Sequence, residues 1–299
     1  MSAPRVLITG RYGFTGRYVA AEFAAAGWDV WGTGIAAAPE TDPNFIPANL
    51  TDAVQLSDVV AKSRPDAVIH LAAIAFVAHG SAEDFYRINL IGTHLLLDAI
   101  ASNDAGKSGV ILASSANIYG NTDQVPIRET ATPAPVNDYA VSKLSMEHMA
   151  GLFTDRLPLV LARPFNYTGR GQDAKFLVPK IVSHFRDRAP EMALGNLDVA
   201  RDFSDVRDVA RAYRVMVDHA TCGDVINICS GHATALGDVI QMCQDITGHS
   251  IDVRVNPEFV RANEVKTLMG DSTKLDSLSP QGSTRHTFRD TLSWMLSDT

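Results

Sequence analysis

The stretch from Val6 to Gly16, VLITGRYGFTG, constrains the fold of this chain more than any other. Val6, Leu7 and Ile8 form a short uninterrupted apolar run, the pattern of a parallel strand buried on both faces. Gly10, Gly13 and Gly16 follow at three-residue intervals. Arg17 to Ala26 then predicts a helix with Val19, Ala20, Phe23 and Ala24 on one face. In such a strand–turn–helix setting each glycine has its own use. Gly10 can make the sharp turn, Gly13 lets the backbone approach a pyrophosphate, and Gly16 lets the helix lie close to the strand. The helix N-terminus would point its N–H groups at phosphate oxygens. The alternative is a tight strand–helix turn that holds no ligand.

The rest of the chain repeats the alternation. Trp28 to Thr33 and Asn44 to Pro47 predict the second and third strands, Asp52 to Ser63 a helix, and Asp66 to Leu71 a fourth strand. Ala82 to Ser102 carries a long helical pattern and Gly109 to Ser114 a fifth strand. A second long helix, Asp138 to Phe153, precedes a sixth strand, Leu157 to Ala162. This regularity predicts an α/β fold, a doubly wound parallel sheet of Rossmann type. After Arg163 the alternation loosens, and Gly-rich polar pieces intervene before one more strand, Asp224 to Cys229. The expected organisation is a dinucleotide-binding domain over residues 1–165, to which 204–230 returns. A smaller substrate-binding lobe would comprise 166–203 and 231–299.

A chain of 299 residues can bury cores of this size. Its formal charge of -8 argues against non-specific nucleic-acid binding. The N-terminus moves directly into a strand and no apolar run reaches the ~18 residues of a membrane span. Neither a signal peptide nor a membrane partner is therefore expected. Cys222, Cys229 and Cys243 lie within apolar segments, as buried thiols of a reducing compartment would, and their spacing suits no metal. A cytoplasmic location follows from that reading.

Charge near the end of the second strand bears on which dinucleotide is held. An acid there would accept bonds from ribose hydroxyls and repel a 2′-phosphate. Gly32, Thr33, Gly34 and Ile35 supply none, and Arg11 in the glycine turn is the nearest cation. This favours NADP(H) with NAD still possible, unless Arg11 is a solvated turn residue. Tyr139-Ala-Val-Ser-Lys143 puts a phenol and an ammonium on one helix face. The ammonium is expected to lower the tyrosine pKa toward the working pH. Upstream, the fifth strand ends in Ser114-Ser115-Ala116-Asn117-Ile118-Tyr119-Gly120. Strand C-terminal ends line the ligand crevice of a parallel sheet, so a serine there can hydrogen-bond a substrate carbonyl beside the tyrosine.

TGRYGFTG, HLAA, RINLIGT, SSANIYG, YAVSK, RPFNYTGRGQ, RDFSDVRD, RANEV and GDSTKL together span nearly the whole chain. On these segments it resembles the extended short-chain dehydrogenase/reductases of the nucleotide-sugar-modifying group. Within that group it is most similar to GDP-4-keto-6-deoxy-D-mannose reductases, where RPFN-x-x-G-x-GQ and V-x-RDF occur together. The resemblance implies catalysis by Ser115, Tyr139 and Lys143. It implies a cofactor held by Gly10, Arg11, Tyr12, Gly13, Phe14, Thr15, Gly16, Asn49, Leu50, Leu71, Ala72, Ala73, Ser114, Tyr139, Lys143 and Arg163. The implied substrate contacts are Ser115, Asn117, Asn166, Gln172, Phe176, Val178, Arg201, Arg261 and Glu264. For Arg201 a salt bridge to Asp202 or Asp205 is the competing assignment.

Related dehydratases carry an acidic pair directly after the strand-end hydroxyl, where this chain has Ala116 and Asn117. The implied reaction is therefore NAD(P)H-dependent reduction of the C4 ketone of a GDP-linked 4-keto-6-deoxyhexose, giving GDP-D-rhamnose or GDP-6-deoxy-D-talose. A nucleotide-sugar 4-epimerase with tightly held NAD is the alternative. Relatives pair their two long helices across a two-fold axis. Leu90, His94, Leu97 and Ala101, with Leu144, His148, Met149 and Leu152, are the positions that would build such a homodimer here.

Overall fold

The strand at Val6 to Ile8 is central: β1 (Arg5–Thr9) pairs in parallel with β2 (Asp29–Gly34) on one side and β4 (Ala67–His70) on the other. The computed structural model describes residues 2–35, 42–75, 81–257, 266–279 and 285–297. Beyond β2 lies β3 (Phe45–Pro47). Beyond β4 come β5 (Gly109–Ala113), β6 (Leu159–Pro164) and β10 (Val225–Ile228). The seven strands are ordered β10-β6-β5-β4-β1-β2-β3, and every neighbouring pair is parallel. Strand order reverses between β1 and β4, which opens a crevice at their C-terminal ends.

Successive residues of β1 serve opposite faces. Val6 and Ile8 pack with Phe23 of α1 (Phe14–Ala25) and with Val209, Tyr213 and Met216 of α7 (Val206–His219). Leu7 packs on the other face with Leu56 of α2 (Ala53–Ser63), Leu96 and Ile100 of α4 (Thr93–Ser102), and Met146 of α5 (Asp138–Ala150). Helix α1 starts inside the glycine turn, three residues before the apolar pattern begins. The long helical pattern at Ala82 to Ser102 is realised in three parts. A short α3 (Ala82–Asp84) leads into a π-helical segment, Phe85–Gly92, and α4 completes it.

The smaller lobe is built on β9 (Ala200–Asp205), which pairs with β7 (Asn166–Thr168), β11 (Ala233–Ala235) and β13 (Thr267–Leu268). A separate ladder joins β8 (Glu191–Leu194) to β12 (Asp252–Val255). Helices α6 (Leu177–Arg186), α8 (Leu236–Thr247) and α10 (Phe288–Leu296) enclose a third core with Phe203. The short α9 (Thr273–Leu278) lies against α7 and β10. Asp202 is fully buried and accepts from Ser230 N and Oγ, Gly231 N and Gly270 N, pinning β9 to two neighbouring loops.

Two expectations need correction. Cys222 is exposed, whereas Cys229 and Cys243 are buried. Leu97 belongs to the monomer core rather than to an outward face, because it packs under α2. The large apolar side chains left exposed on the two long helical stretches are Ile91 and Leu152. No helix among the described residues is long and apolar enough to cross a membrane.

Candidate active site

The glycine turn is shaped by close approach. Gly10 has φ +70, and a Cβ there would stand 3.2 Å from Ala72 Cα. A Cβ on Gly16 would come within 2.1 Å of the Gly10 carbonyl oxygen, so the first turn of α1 fits only over bare backbone. The α1 N-terminus has no side-chain cap and no acid in its first turn, which suits an anion. Nearby, the hydroxyls of Thr33 and Ser114 are buried without a hydrogen-bond partner among the described residues, a state that ordinarily calls for one. Thr33 O receives the Gly10 N–H at 2.7 Å, and Ser114 follows directly on β5. These features fit a dinucleotide laid across the strand ends.

The turn also carries a pair that the sequence reading missed. The Arg11 stem lies over Gly32, where a Cβ would meet its Cδ at 2.3 Å. Its Nη1 donates to Val30 O at 3.1 Å and stands 2.9 Å from the carboxylate of Asp42. The Tyr12 hydroxyl donates to the same carboxylate. Arg11 is therefore not a solvated turn residue, and its charge is balanced by an acid between β2 and β3. Thr15 Oγ1 and Tyr167 OH are 2.8 Å apart, and Phe14 stacks on the Tyr167 ring, so β7 is fastened to the start of α1.

Ser115, Tyr139 and Lys143 converge at the end of β5. Ser115 caps a 3₁₀ turn, Ala116–Tyr119, and its Oγ accepts from Asn117 N and Asn117 Nδ2, both at 3.2 Å. Its own hydrogen is left to donate, and through it Ser115 acts on the Tyr139 phenol, pulling its pKa down. Burial wins over that bond and pushes Tyr139 up to about 12. The expected lowering by Lys143 is not what shapes this phenol: the ammonium instead donates to Ala113 O at 2.7 Å. Lys143 itself is brought down to about 8 by burial, against the opposing pull of Glu147. Tyr139 is thus a protonated acid at neutral pH.

Beneath this trio runs a chain of buried polar groups from the HLAA and RINLIGT segments, to which the sequence alone assigned no role. Thr9 Oγ1 accepts from Leu71 N and Ala72 N at 3.1 Å each and meets His70 Nδ1 at 2.7 Å. Thr93 Oγ1 donates to Asn89 O and stands 2.8 Å from His70 Nε2. With both hydroxyls so committed, the network assigns the imidazole proton to Nε2. Burial and the neighbouring Lys143 charge hold His70 down to about 3. Asn89 Nδ2 donates to Ser142 Oγ and Ile74 O at 3.1 Å, tying the π segment to α5. The signal for His70 was its place at a strand end; Asn89 and Thr93 are four apart in the RINLIGT segment.

The remaining expected residues divide. Asn117 is exposed beside Ser115, and Asn166 is exposed on β7. Gln172 is used within its own loop, where Oε1 accepts from Thr168 and Nε2 donates to Tyr167 O. Phe176 precedes α6, but the Val178 side chain is buried in the lobe core and offers a ligand no side-chain surface. Asn49 Oδ1 accepts from Thr51 N and Thr51 Oγ1, and Leu50 is buried under Gly92. Arg201 donates to Ala200 O at 2.9 Å, while Asp205 is engaged by Arg207 and Asp202 by backbone, so neither carboxylate is its ion-pair partner. Ala73 lies at the crevice edge after Ala72. Arg261 and Glu264 lie outside the described residues. Arg163, expected at the cofactor, is instead buried in a bidentate ion pair with Glu147, which uses up the face it would have offered.

Comparison with known proteins matches the NAD dependent epimerase/dehydratase family to residues 6–229. The chain is similar to a GDP-6-deoxy-D-talose 4-dehydrogenase of Aggregatibacter actinomycetemcomitans, at 35% identity over 91% of this chain and 90% of the relative. It is also similar to a GDP-6-deoxy-D-mannose reductase of Pseudomonas aeruginosa, at 32% identity over 91% and 89%. Among solved structures, one described as a putative epimerase from Burkholderia cenocepacia is 46% identical with a TM-score of 0.92, covering 99% and 98%. The RMD of Pseudomonas aeruginosa complexed with NADPH is 30% identical with a TM-score of 0.85, covering 98% and 96%.

Proposed function

Because the chain belongs to the NAD dependent epimerase/dehydratase family, we propose that it is an NADPH-dependent reductase acting on the C4 ketone of GDP-4-keto-6-deoxy-D-mannose. The product is GDP-D-rhamnose or GDP-6-deoxy-D-talose, depending on which sugar face meets the cofactor. The observation that carries this reading is the packing of the Ser115-capped turn, at the end of β5, against α5, which carries Tyr139 and, one helical turn on, Lys143. Two relatives whose names specify oxidoreductases of GDP-6-deoxy sugars support it, and they differ in the C4 epimer that they name.

Nicotinamide, when bound, supplies the hydride. Gly10, Gly13 and Gly16 give its pyrophosphate a bare-backbone seat at the α1 N-terminus, and Ser114 and Thr33 offer hydroxyls in need of partners. Ser115, its acceptor sites filled by Asn117, turns its one hydrogen from the Tyr139 phenol to the carbonyl oxygen when the sugar is bound. Tyr139 delivers its proton to the same oxygen as negative charge develops there, the interaction that lowers the barrier most. Lys143 holds a positive charge one helical turn on from the phenol and would hold a ribose hydroxyl of the cofactor. Asn166 and Arg201 meet the sugar nucleotide and its diphosphate. The working unit is a homodimer joined through the face that exposes Ile91 and Leu152.

Incubation with NADPH and GDP-4-keto-6-deoxymannose tests the reading. Loss of the NADPH absorbance with stoichiometric formation of a 6-deoxy sugar, assigned by NMR, is expected. Tightly held NAD, no NADPH consumption and interconversion of two nucleotide sugars would establish the 4-epimerase instead.

A further inference from the structure

We infer that Arg163 is a positioning residue that sets the distance between Ser115 and Tyr139. Its guanidinium is buried between the two elements that carry them. Nε and Nη2 grip Glu147 on α5 at 3.0 and 2.7 Å. Nη1 donates to Tyr119 OH at 2.9 Å and to Glu129 O at 3.0 Å. Glu147 lies one helical turn beyond Lys143 and two beyond Tyr139. Tyr119 ends the 3₁₀ turn that Ser115 caps, and its ring lies under the guanidinium at 5.1 Å. A single planar group therefore spans from the tyrosine helix to the serine turn.

The outer partners are fixed in turn. Tyr119 OH donates to Asn227 Oδ1 at 2.7 Å, and Asn227 Nδ2 donates to Ile127 O at 3.0 Å. Glu129 Oε1 accepts from Asn227 N at 2.8 Å. Ile127 is held by Met269 O and Asp271 N, so the network reaches the smaller lobe. Each nitrogen of the guanidinium fork has an acceptor in place, which gives a planar ion pair its directional stiffness. A buried ion pair is weak evidence for stability, since apolar residues of similar volume often fold as well. What this one supplies is a fixed spacing between two reacting hydroxyls, on which rate depends steeply.

The inference rests on Ser115 and Tyr139 being the reacting pair, which wild-type turnover of the keto sugar tests separately. Arg163→Met strands the Glu147 carboxylate and is expected to melt at a lower temperature. The double variant Arg163→Met, Glu147→Met replaces the pair by apolar groups and is expected to regain wild-type melting. Its kcat should stay reduced by about tenfold or more, with KM for the nucleotide sugar and Kd for NADPH within about twofold. A double variant with wild-type kcat overturns the inference. Tyr119→Phe removes one hydroxyl without opening the core. It is expected to lower kcat in the wild-type background and to add nothing in the double variant; equal losses in both backgrounds also overturn it. If the wild type turns over no keto sugar, the NMR resonance of the Tyr139 phenol, assigned through Tyr139→Phe, serves in place of kcat. A resonance unmoved in the double variant then counts against the inference.

Discussion

The carboxylate of Asp42 stands 2.9 Å from the guanidinium of Arg11, so the cation carried by the glycine turn is balanced from within the protein. A 2′-phosphate must compete with Asp42 for Arg11, whereas a ribose diol can be received by the carboxylate itself. Arg11→Ala should therefore weaken NADPH far more than NADH, by the about 1.5–3 kcal/mol of a charged hydrogen bond, or roughly 10–150-fold. Asp42→Asn should tighten NADPH. Fluorescence titration of both cofactors checks this; equal losses for the two in Arg11→Ala would remove Arg11 from the recognition of phosphate.

Tyr139→Phe should keep the melting temperature and cofactor affinity and lose roughly 10²–10⁴ in kcat, the contribution of a positioned acid. Steady-state kinetics decide, and retention of more than about a tenth of wild-type kcat would exclude Tyr139 as the proton donor.

Two ionisable groups at the site have separate titration ranges, with Lys143 near about 8 and Tyr139 near about 12. As pH rises through about 8 the ammonium is lost first. The reductive kcat/KM, which reports the free enzyme, should accordingly fall along a limb centred there, well before the phenol ionises. Lys143→Arg should retain the cation and abolish the limb. An unchanged limb in that variant would assign it to another group.

His70 sets a pH dependence of stability. In the unfolded chain the imidazole titrates near 6.5, and in the fold it is held to about 3. Between those values the unfolded state binds a proton that the fold rejects, so stability falls as pH drops through this window. The loss attributable to this one group is about 1.4 kcal/mol per pH unit. Urea unfolding of the wild type and His70→Gln at several pH values isolates it; parallel profiles would mean that His70 does not contribute.

Ile91 and Leu152 are 49% and 79% exposed on the two helical stretches that flank the site. Light scattering should give wild type twice the mass of one chain, and Ile91→Glu with Leu152→Glu the mass of one. A wild type that stays at the single-chain mass across micromolar concentrations would exclude the dimer.

Much of this was legible in the sequence because it rests on local pattern. The apolar run of β1, the glycine spacing and the i, i+4 pair Tyr139 and Lys143 each involve neighbours, and the structure keeps them together. What escaped depends on partners far apart in sequence. Arg11 could not be seen to meet Asp42, nor Arg163 to meet Glu147, Tyr119 and Glu129, because only the fold brings those groups into contact. The Tyr139 pKa was misjudged for a related reason: an ammonium four residues away turned to the Ala113 carbonyl, leaving burial to dominate. The stripe through Leu97 failed as an outward face because an apolar pattern wider than one stripe does not say which side is covered.

The π-helical segment Phe85–Gly92 limits how this stretch can change over generations. Its wider turn carries Asn89 to Ser142 and passes the chain on so that Thr93 meets His70. Relaxing to the commoner α form at unchanged length would wind the same residues into tighter turns. Everything after it would then rotate by about 100°, and Thr93 would swing away from His70. Side chains here can vary so long as volume and polarity are kept, but the wide turn itself is what lets Asn89 reach Ser142 and Thr93 reach His70 at once.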